Sequence, residues 1–247
     1  MSSNPQPPER SMNLDVKKET KAYFDSVAEK FEGYYDAPTL GNQLRHTFVQ
    51  ERNRRHILTY LQSIKSKNTP LKNILDAGCG NGDFSNRLAR EFPDALVHGV
   101  DFSMEMLRLA KKRRRNEIRR LSFSRQDLSR PLAFPTETFD LTICLNLLHH
   151  IPPERQNETL RELTRITRSH LILEIKRRHL LFSALTRNRA FGFLPVFPTS
   201  IREVRQTIES AGFVLERLLP VFRPLFLCPV VVLAWKRKET NDRCEGR

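Results

Sequence analysis

The sequence predicts an α/β fold: an open, doubly wound, mostly parallel sheet with helices on both faces, preceded by a helical segment. Three observations predict it. From Lys72 onward, short apolar strands alternate with amphipathic helices, the pattern of successive parallel strand–helix units. A glycine-rich turn joins the first strand to the first of those helices. The last two strands follow each other with little between them but a Pro- and Phe-rich connection, which suits an antiparallel pair closing the sheet edge.

Each element follows from local chemistry. Residues 1–13 hold Pro5, Pro7 and Pro8 and few apolar side chains, so they read as disordered. Residues 14–70 read as a helical cap. Val16, Tyr23, Phe24, Val27 and Phe31 recur at helical spacing, Gly33 to Gly41 interrupts, and Leu44, Phe48, Ile57, Leu58, Leu61 and Ile64 give a second stripe. Residues 71–237 form the main domain. Its strands are expected at Asn73–Ala77, Ala95–Val100, Leu121–Ser124, Phe139–Leu145, His170–Ile175, Val214–Leu219 and Val230–Trp235. Helices fall at Phe84–Phe92, Ser103–Arg115 with Ser103 as N-cap, Pro152–Thr167, and Thr199–Ala211 ended by Gly212. Residues 238–247 read as a disordered tail.

Composition narrows the function classes. The chain has 247 residues, is 39% hydrophobic, and carries a formal charge of +14. Such a field favours acidic partners: nucleic acid, anionic lipid headgroups or an anionic substrate. The four cysteines, at 79, 144, 228 and 244, form no CxxC pair. A thiolate metal site is not expected, nor any other metal site, and a reduced, cytoplasmic setting fits. The N-terminus lacks the apolar run of a signal peptide. The apolar stretch from Leu218 to Trp235 contains Arg223 and three prolines, whereas a spanning helix needs about 20 apolar residues. Peripheral contact with an anionic membrane remains compatible.

The chemistry concentrates at three strand ends. Gly78, Gly80 and Gly82 alternate in LDAGCGNGD. Glycine lets the chain turn sharply and lets a ligand lie against bare backbone, and the following helix presents its unpaired N–H groups. The GxGxG spacing differs from both the GxGxxG dinucleotide fingerprint and the GxxxxGK[ST] phosphate loop. Asp101 ends the second strand (HGVDFS), where a carboxylate can accept from both ribose hydroxyls. Asp127 ends the third (SRQDLS), where an acid can accept from the exocyclic amine of an adenine. The three features in order on successive strands point to an adenosine-containing cofactor, in the crevice where open α/β sheets bind ligands.

The runs ILDAGCGNGDFS, VHGVDFS, SRQDLS and FDLTICLNLLHHI resemble the class I S-adenosylmethionine-dependent methyltransferases. Within them the chain is similar to the small-molecule type 11 branch that includes ubiquinone and menaquinone methyltransferases. The resemblance covers residues 72 to 175 best, and the tail from PTSIREVRQ onward is similar to the family's closing helix and strands. It implies a seven-stranded Rossmann-like sheet with one antiparallel strand, and an N-terminal helical lid. It implies S-adenosyl-L-methionine as cofactor. Gly78 and Gly80 would face its methionine part, with Asp76 supporting the loop and the amino group. Asp101 would hold the ribose, Phe102 and Met104 would flank the adenine, and Asp127 with the Leu128 amide would read its edge. Asn146 would border the methionine part and the acceptor pocket. Nucleic-acid amino-methylating relatives carry [ND]PP[YF] after the fourth strand. Here Asn146-Leu147-Leu148-His149-His150 stands instead, which argues against amino-group methylation of nucleic-acid bases and fits an O-, C- or N-methyltransferase acting on a small molecule.

His149 and His150 are the candidate catalytic bases, since imidazole exchanges a proton near neutral pH; packing, or capping of the helix near Pro152, is the alternative. Tyr23, Tyr34 and Tyr35 would lie in the lid, where aromatic rings can hold a sulfonium. The segment from Lys176 to Pro198 mixes Phe182, Phe191, Phe193 and Phe197 with several arginines. It suits a lipophilic or aromatic acceptor, or an anionic membrane surface. The basic run Lys111 to Arg115 reads first as a solvated helix end and second as a nucleic-acid contact. Two other functions stay open: an RNA methyltransferase using the basic surface, and a non-catalytic binding protein that keeps the fold.

Overall fold

A computed structural model describes residues 50–65, 69–114, 119–177, 189–190, 194–195, 197–220 and 228–239. The expectations for residues 1–49 (Tyr23, Tyr34 and Tyr35 included), for most of the 178–196 segment and for the tail beyond 239 lie outside the described residues.

The strands are β1 (Asn73–Ala77), β2 (Leu96–Asp101), β3 (Leu121–Arg125), β4 (Phe139–Cys144), β5 (Thr167–Lys176), the two-residue pair β6 (Arg189–Ala190) and β7 (Leu194–Pro195), β8 (Phe213–Pro220) and β9 (Val230–Arg237). The helices are α1 (Glu51–Lys65), α2 (Asp83–Glu91), α3 (Met104–Arg113), α4 (Pro153–Ile166) and α5 (Ile201–Ser210). A seven-stranded sheet runs in the order β3-β2-β1-β4-β5-β9-β8. β1 through β5 pair in parallel, and β9 runs antiparallel to both β5 and β8. The single antiparallel strand expected from the resemblance is therefore the last in the chain.

Side-chain alternation splits the core into two layers, as a period of two requires. Leu75, Val100, Leu171 and Leu173 face α4 and α5, meeting Leu160, Leu163, Val204 and Ile208. Ile74, Val97, Leu141 and Ile172 face the other way, meeting Ile57 and Leu61 of α1 and Leu88 of α2. Both faces of the sheet are covered, so β4 is buried at every position. That explains its nearly continuous apolar sequence.

Most boundaries match the sequence reading to one or two residues. One exception is β5, which begins at Thr167 rather than His170. α4 passes into it without a loop, and Thr167 is both C-cap and first strand residue. The polar run Thr167-Arg168-Ser169 hides this, but the Thr167 hydroxyl is buried, donates to the Leu163 carbonyl and shares a second hydrogen bond with the Thr142 hydroxyl. The β6–β7 pair was not foreseen. Ser103 caps α3, its hydroxyl accepting from the Met106 N–H at 3.2 Å. Among the described residues no helix is long and apolar enough to cross a membrane.

Candidate functional site

β1 points its carboxyl end into the glycine turn. Gly78, Gly80 and Gly82 have φ of 82°, 52° and 73°, the left-handed region that side chains resist. The Gly78 and Cys79 N–H groups both donate to the Val100 carbonyl, at 2.8 and 2.9 Å, so the turn is fixed against β2. Asp101 completes the attachment. Its Oδ2 accepts from the Gly80 N–H and its Oδ1 from the Ser103 N–H, both at 2.9 Å. A carboxylate offers about four lone-pair sites, so further donors can still be accepted.

The sheet order now places acids in a row. Asp101 ends β2 and Asp76 lies in β1, followed by β4 and then by Glu174 in β5. The alternation puts all three on the sheet face covered by α1 and α2. Burial pushes the Asp76 carboxyl up to about 6, while the Ser85 hydroxyl bonded to it and the Arg54 charge pull the other way. Burial also pushes the Cys79 thiol well above its ordinary range.

A cavity of about 380 Å³ opens at this rim, lined along the sheet by Asp76, Gly78, Gly80, Asp101, Asn146 and Glu174. Asn146 has φ 52°, an uncommon conformation that asparagine tolerates better than most residues. The strain sits just past β4, where the chain reverses beside the cavity. α1 contributes Asn53 and Arg54 to the lining. Asn53 is 1% exposed and donates from Nδ2 to Glu174 Oε2 at 2.9 Å.

Ion pairs fasten α1 beside the glycine turn. Arg54 meets Asp83 at 2.7 Å, and Arg113 of α3 reaches the same carboxylate at 3.4 Å. Arg87 of α2 donates to both oxygens of Glu51, at 2.8 and 2.9 Å. Three elements that begin far apart in sequence therefore converge on one edge of the cavity.

Of the sequence-predicted site residues, Asp76, Gly78, Gly80, Asp101, Phe102, Asn146 and His150 line the cavity. Four others do not. Met104 is 50% exposed, and the buried Met106, two residues on, lines the cavity instead. Asp127 Oδ1 accepts from the N–H and hydroxyl of Ser129 at 3.1 and 2.7 Å, an Asx-type turn. Leu128 is buried, and its carbonyl accepts from Thr159. His149 is buried behind His150, their ring centroids 4.2 Å apart. Among the described residues no cluster of His, Cys, Asp and Glu could hold a metal ion.

Sequence reading missed Glu174, Asn53 and the arginines. Signals existed for the first two. Glu174 interrupts the apolar run of HLILEIK, and Asn53 shares the helical stripe of Ile57, Tyr60, Leu61 and Ile64.

Comparison with known proteins agrees with this architecture. A family model described as a methyltransferase domain matches residues 74–170. A ubiquinone biosynthesis O-methyltransferase of Coxiella burnetii is 35% identical over 85 residues, 34% of this chain and 35% of that protein. A fatty-acid O-methyltransferase of Mycolicibacterium smegmatis is 31% identical over 144 residues, 58% of this chain and 50% of that one. The chain thus spans about a third to a half of the length of these curated relatives. The crystal structure of magnesium protoporphyrin IX methyltransferase from Synechocystis, with bound SAH, superposes with a TM-score of 0.72 at 23% identity. That match covers 90% of this chain and 100% of the other. Residues 74–170 thus match a methyltransferase domain, and they lie within a seven-stranded sheet whose fold is similar to that of the superposed structure.

Proposed function

We propose that the chain is an S-adenosylmethionine-dependent methyltransferase that transfers a methyl group to a small lipophilic or aromatic acceptor, by O-methylation. The observation that carries the reading is the rim itself: a glycine turn and the Asp101 carboxylate facing one cavity, inside a methyltransferase domain. The residues fit the cofactor. Among the described residues, a Cβ placed on Gly80 would meet nothing within 4 Å, which suits a ligand lying against the backbone there. Asp76 and Asp101 put two acidic groups beside a cavity that would receive a cation, which favours its binding.

When bound, this cofactor supplies an electrophilic methyl group on a sulfonium. The chain's own task is then positioning. Asp101 accepts from the ribose hydroxyls while it stays anchored to Gly80 and Ser103. The start of α2 follows the glycine turn, and its helix dipole favours the carboxylate end of the ligand. α1 closes one side of the cavity with Asn53 and Arg54 and limits water there. His150, which lines the cavity, would take a proton from an acceptor hydroxyl. A lipophilic acceptor accords with the phenylalanines of the 176–198 segment, and the +14 charge accords with an approach along an anionic membrane surface.

Calorimetry with S-adenosylmethionine tests the cofactor assignment, and no binding at millimolar concentration would favour a scaffold role. Tritiated methyl transfer into a fractionated cell extract tests the acceptor class. Label in the lipid or small-molecule fraction is expected, whereas label in RNA would shift the reading to the basic surface.

A further inference from the structure

We propose that Ser122 is a phosphorylation site for a serine/threonine kinase that reads basic residues, and that His98 holds the phosphate once it is attached. The inference goes beyond the methyl-transfer reading and does not depend on it.

Sequence and fold both mark the position. Arg119-Arg120-Leu121-Ser122 is the single place in the sequence where adjacent arginines stand three and two residues before a serine or threonine. A kinase groove lined with carboxylates would pair with both guanidinium groups. Arg119, Arg120 and Ser122 are all exposed, and the arginines sit in the turn that enters β3. β3 is an edge of the seven-stranded sheet. The segment is therefore already extended, and one of its flanks pairs with no other described strand. A kinase can meet the hydroxyl and both arginines while the sheet stays folded.

The group that receives the phosphate is built across β2 and β3. His98 is the register partner of Ser122, and strand alternation puts Ser122, Ser124 and His98 on one sheet face. The His98 Nδ1 lies 2.6 Å from the Ser122 Oγ, and its Nε2 lies 2.8 Å from the Ser124 Oγ. Phe134 meets the ring edge-on, with centroids 5.5 Å apart. Burial lowers the pKa of His98, so the ring is neutral at pH 7. A phosphate on Ser122 brings about two negative charges and several acceptor oxygens, which favours the imidazolium. Nδ1–H then donates to the phosphate. Nε2–H donates to the Ser124 hydroxyl, which accepts as readily as it donates. Both N–H groups of the charged ring thus find partners already in place.

In the transfer, the Ser122 Oγ bonds to the γ-phosphorus of ATP while the bond from that phosphorus to the bridging oxygen of ADP breaks. The departing oxygen keeps the electron pair, and the hydroxyl proton passes to the kinase's catalytic aspartate. His98 then takes its proton from water.

The test treats the folded full chain with the catalytic subunit of cAMP-dependent protein kinase, magnesium and radiolabelled ATP, and locates the label by mass spectrometry. Incorporation of about one phosphate per chain, at Ser122, is expected. Ser122→Ala should abolish it and Ser124→Ala should keep it. Replacing Arg119 and Arg120 together by alanine should slow it at least about tenfold, through the loss of two charge-assisted contacts. In the phosphorylated chain the His98 ring protons should titrate about one pH unit higher than in the parent. Label that persists in Ser122→Ala, or label in a peptide of the same sequence but none in the folded chain, would overturn the site. An unchanged His98 titration would overturn the contact between phosphate and imidazole.

Discussion

Asp101 grips the Gly80 N–H at 2.9 Å with one carboxylate oxygen while the other holds the Ser103 N–H. The residue therefore has two jobs, shaping the glycine turn and facing the cavity. Asp101→Ala is expected to weaken S-adenosylmethionine binding by about 100-fold, the loss of one or two charge-assisted hydrogen bonds. It should also cost about 1–3 kcal/mol of stability, because two backbone donors lose their acceptor. Calorimetry and urea unfolding on the same variant separate the two effects, and unchanged cofactor affinity would defeat the ribose assignment.

Gly80 and Gly82 make opposite predictions although both have positive φ. A Cβ on Gly82 would lie 2.8 Å from the Ala110 Cβ and 2.9 Å from the Phe123 ring. Gly82→Ala is expected to cost at least about 2 kcal/mol from left-handed strain and overpacking together. A Cβ on Gly80 meets no atom of the described residues within 4 Å. Gly80→Ala should cost about 1 kcal/mol in backbone strain yet lower cofactor affinity at least about tenfold. Thermal unfolding and calorimetry on the pair check this crossing of effects.

The raised Asp76 carboxyl sets a pH dependence. Its value of about 6 in the folded chain stands above the ordinary 3.8. The folded state therefore holds a proton that the unfolded state releases, and Asp76 favours folding fully only below about pH 4. That advantage is lost as pH rises through about 6, for a change of up to about 3 kcal/mol. Relative to Asp76→Asn, the parent chain should lose stability between pH 4 and 6 and run parallel above. Bound cation lowers the same pKa, so cofactor binding near pH 6 should release a proton, visible as a buffer-dependent heat.

Asp83 serves Arg54, Arg87 and Arg113 at distances of 2.7, 3.8 and 3.4 Å. These side chains are partly exposed, so screening limits what each pair contributes. Asp83→Asn is expected to lower stability by about 1 kcal/mol at low ionic strength and by about half that at ~0.5 M salt. A loss independent of salt would indicate packing instead.

The alternation of strands and helices was legible because burial on both sheet faces writes itself as apolar runs, as in NILDA and FDLTIC. The glycine turn and Asp101 were legible because their chemistry is local. Glu174 and Asn53 were not, since their partnership joins residues 121 positions apart and depends on how α1 crosses the sheet. The Asp127 turn shows the converse. A strand-end acid satisfies its own local backbone as readily as a ligand, and position along the chain does not separate the two.

β9 sits between β5 and β8 and pairs with both along nearly its whole length. Strand β5 thus waits, with one flank of backbone donors and acceptors unanswered, until β9 has been made. During synthesis that flank is open to neighbouring nascent chains. Completion of β9, rather than the emergence of the cavity-forming residues, is the event that closes that flank.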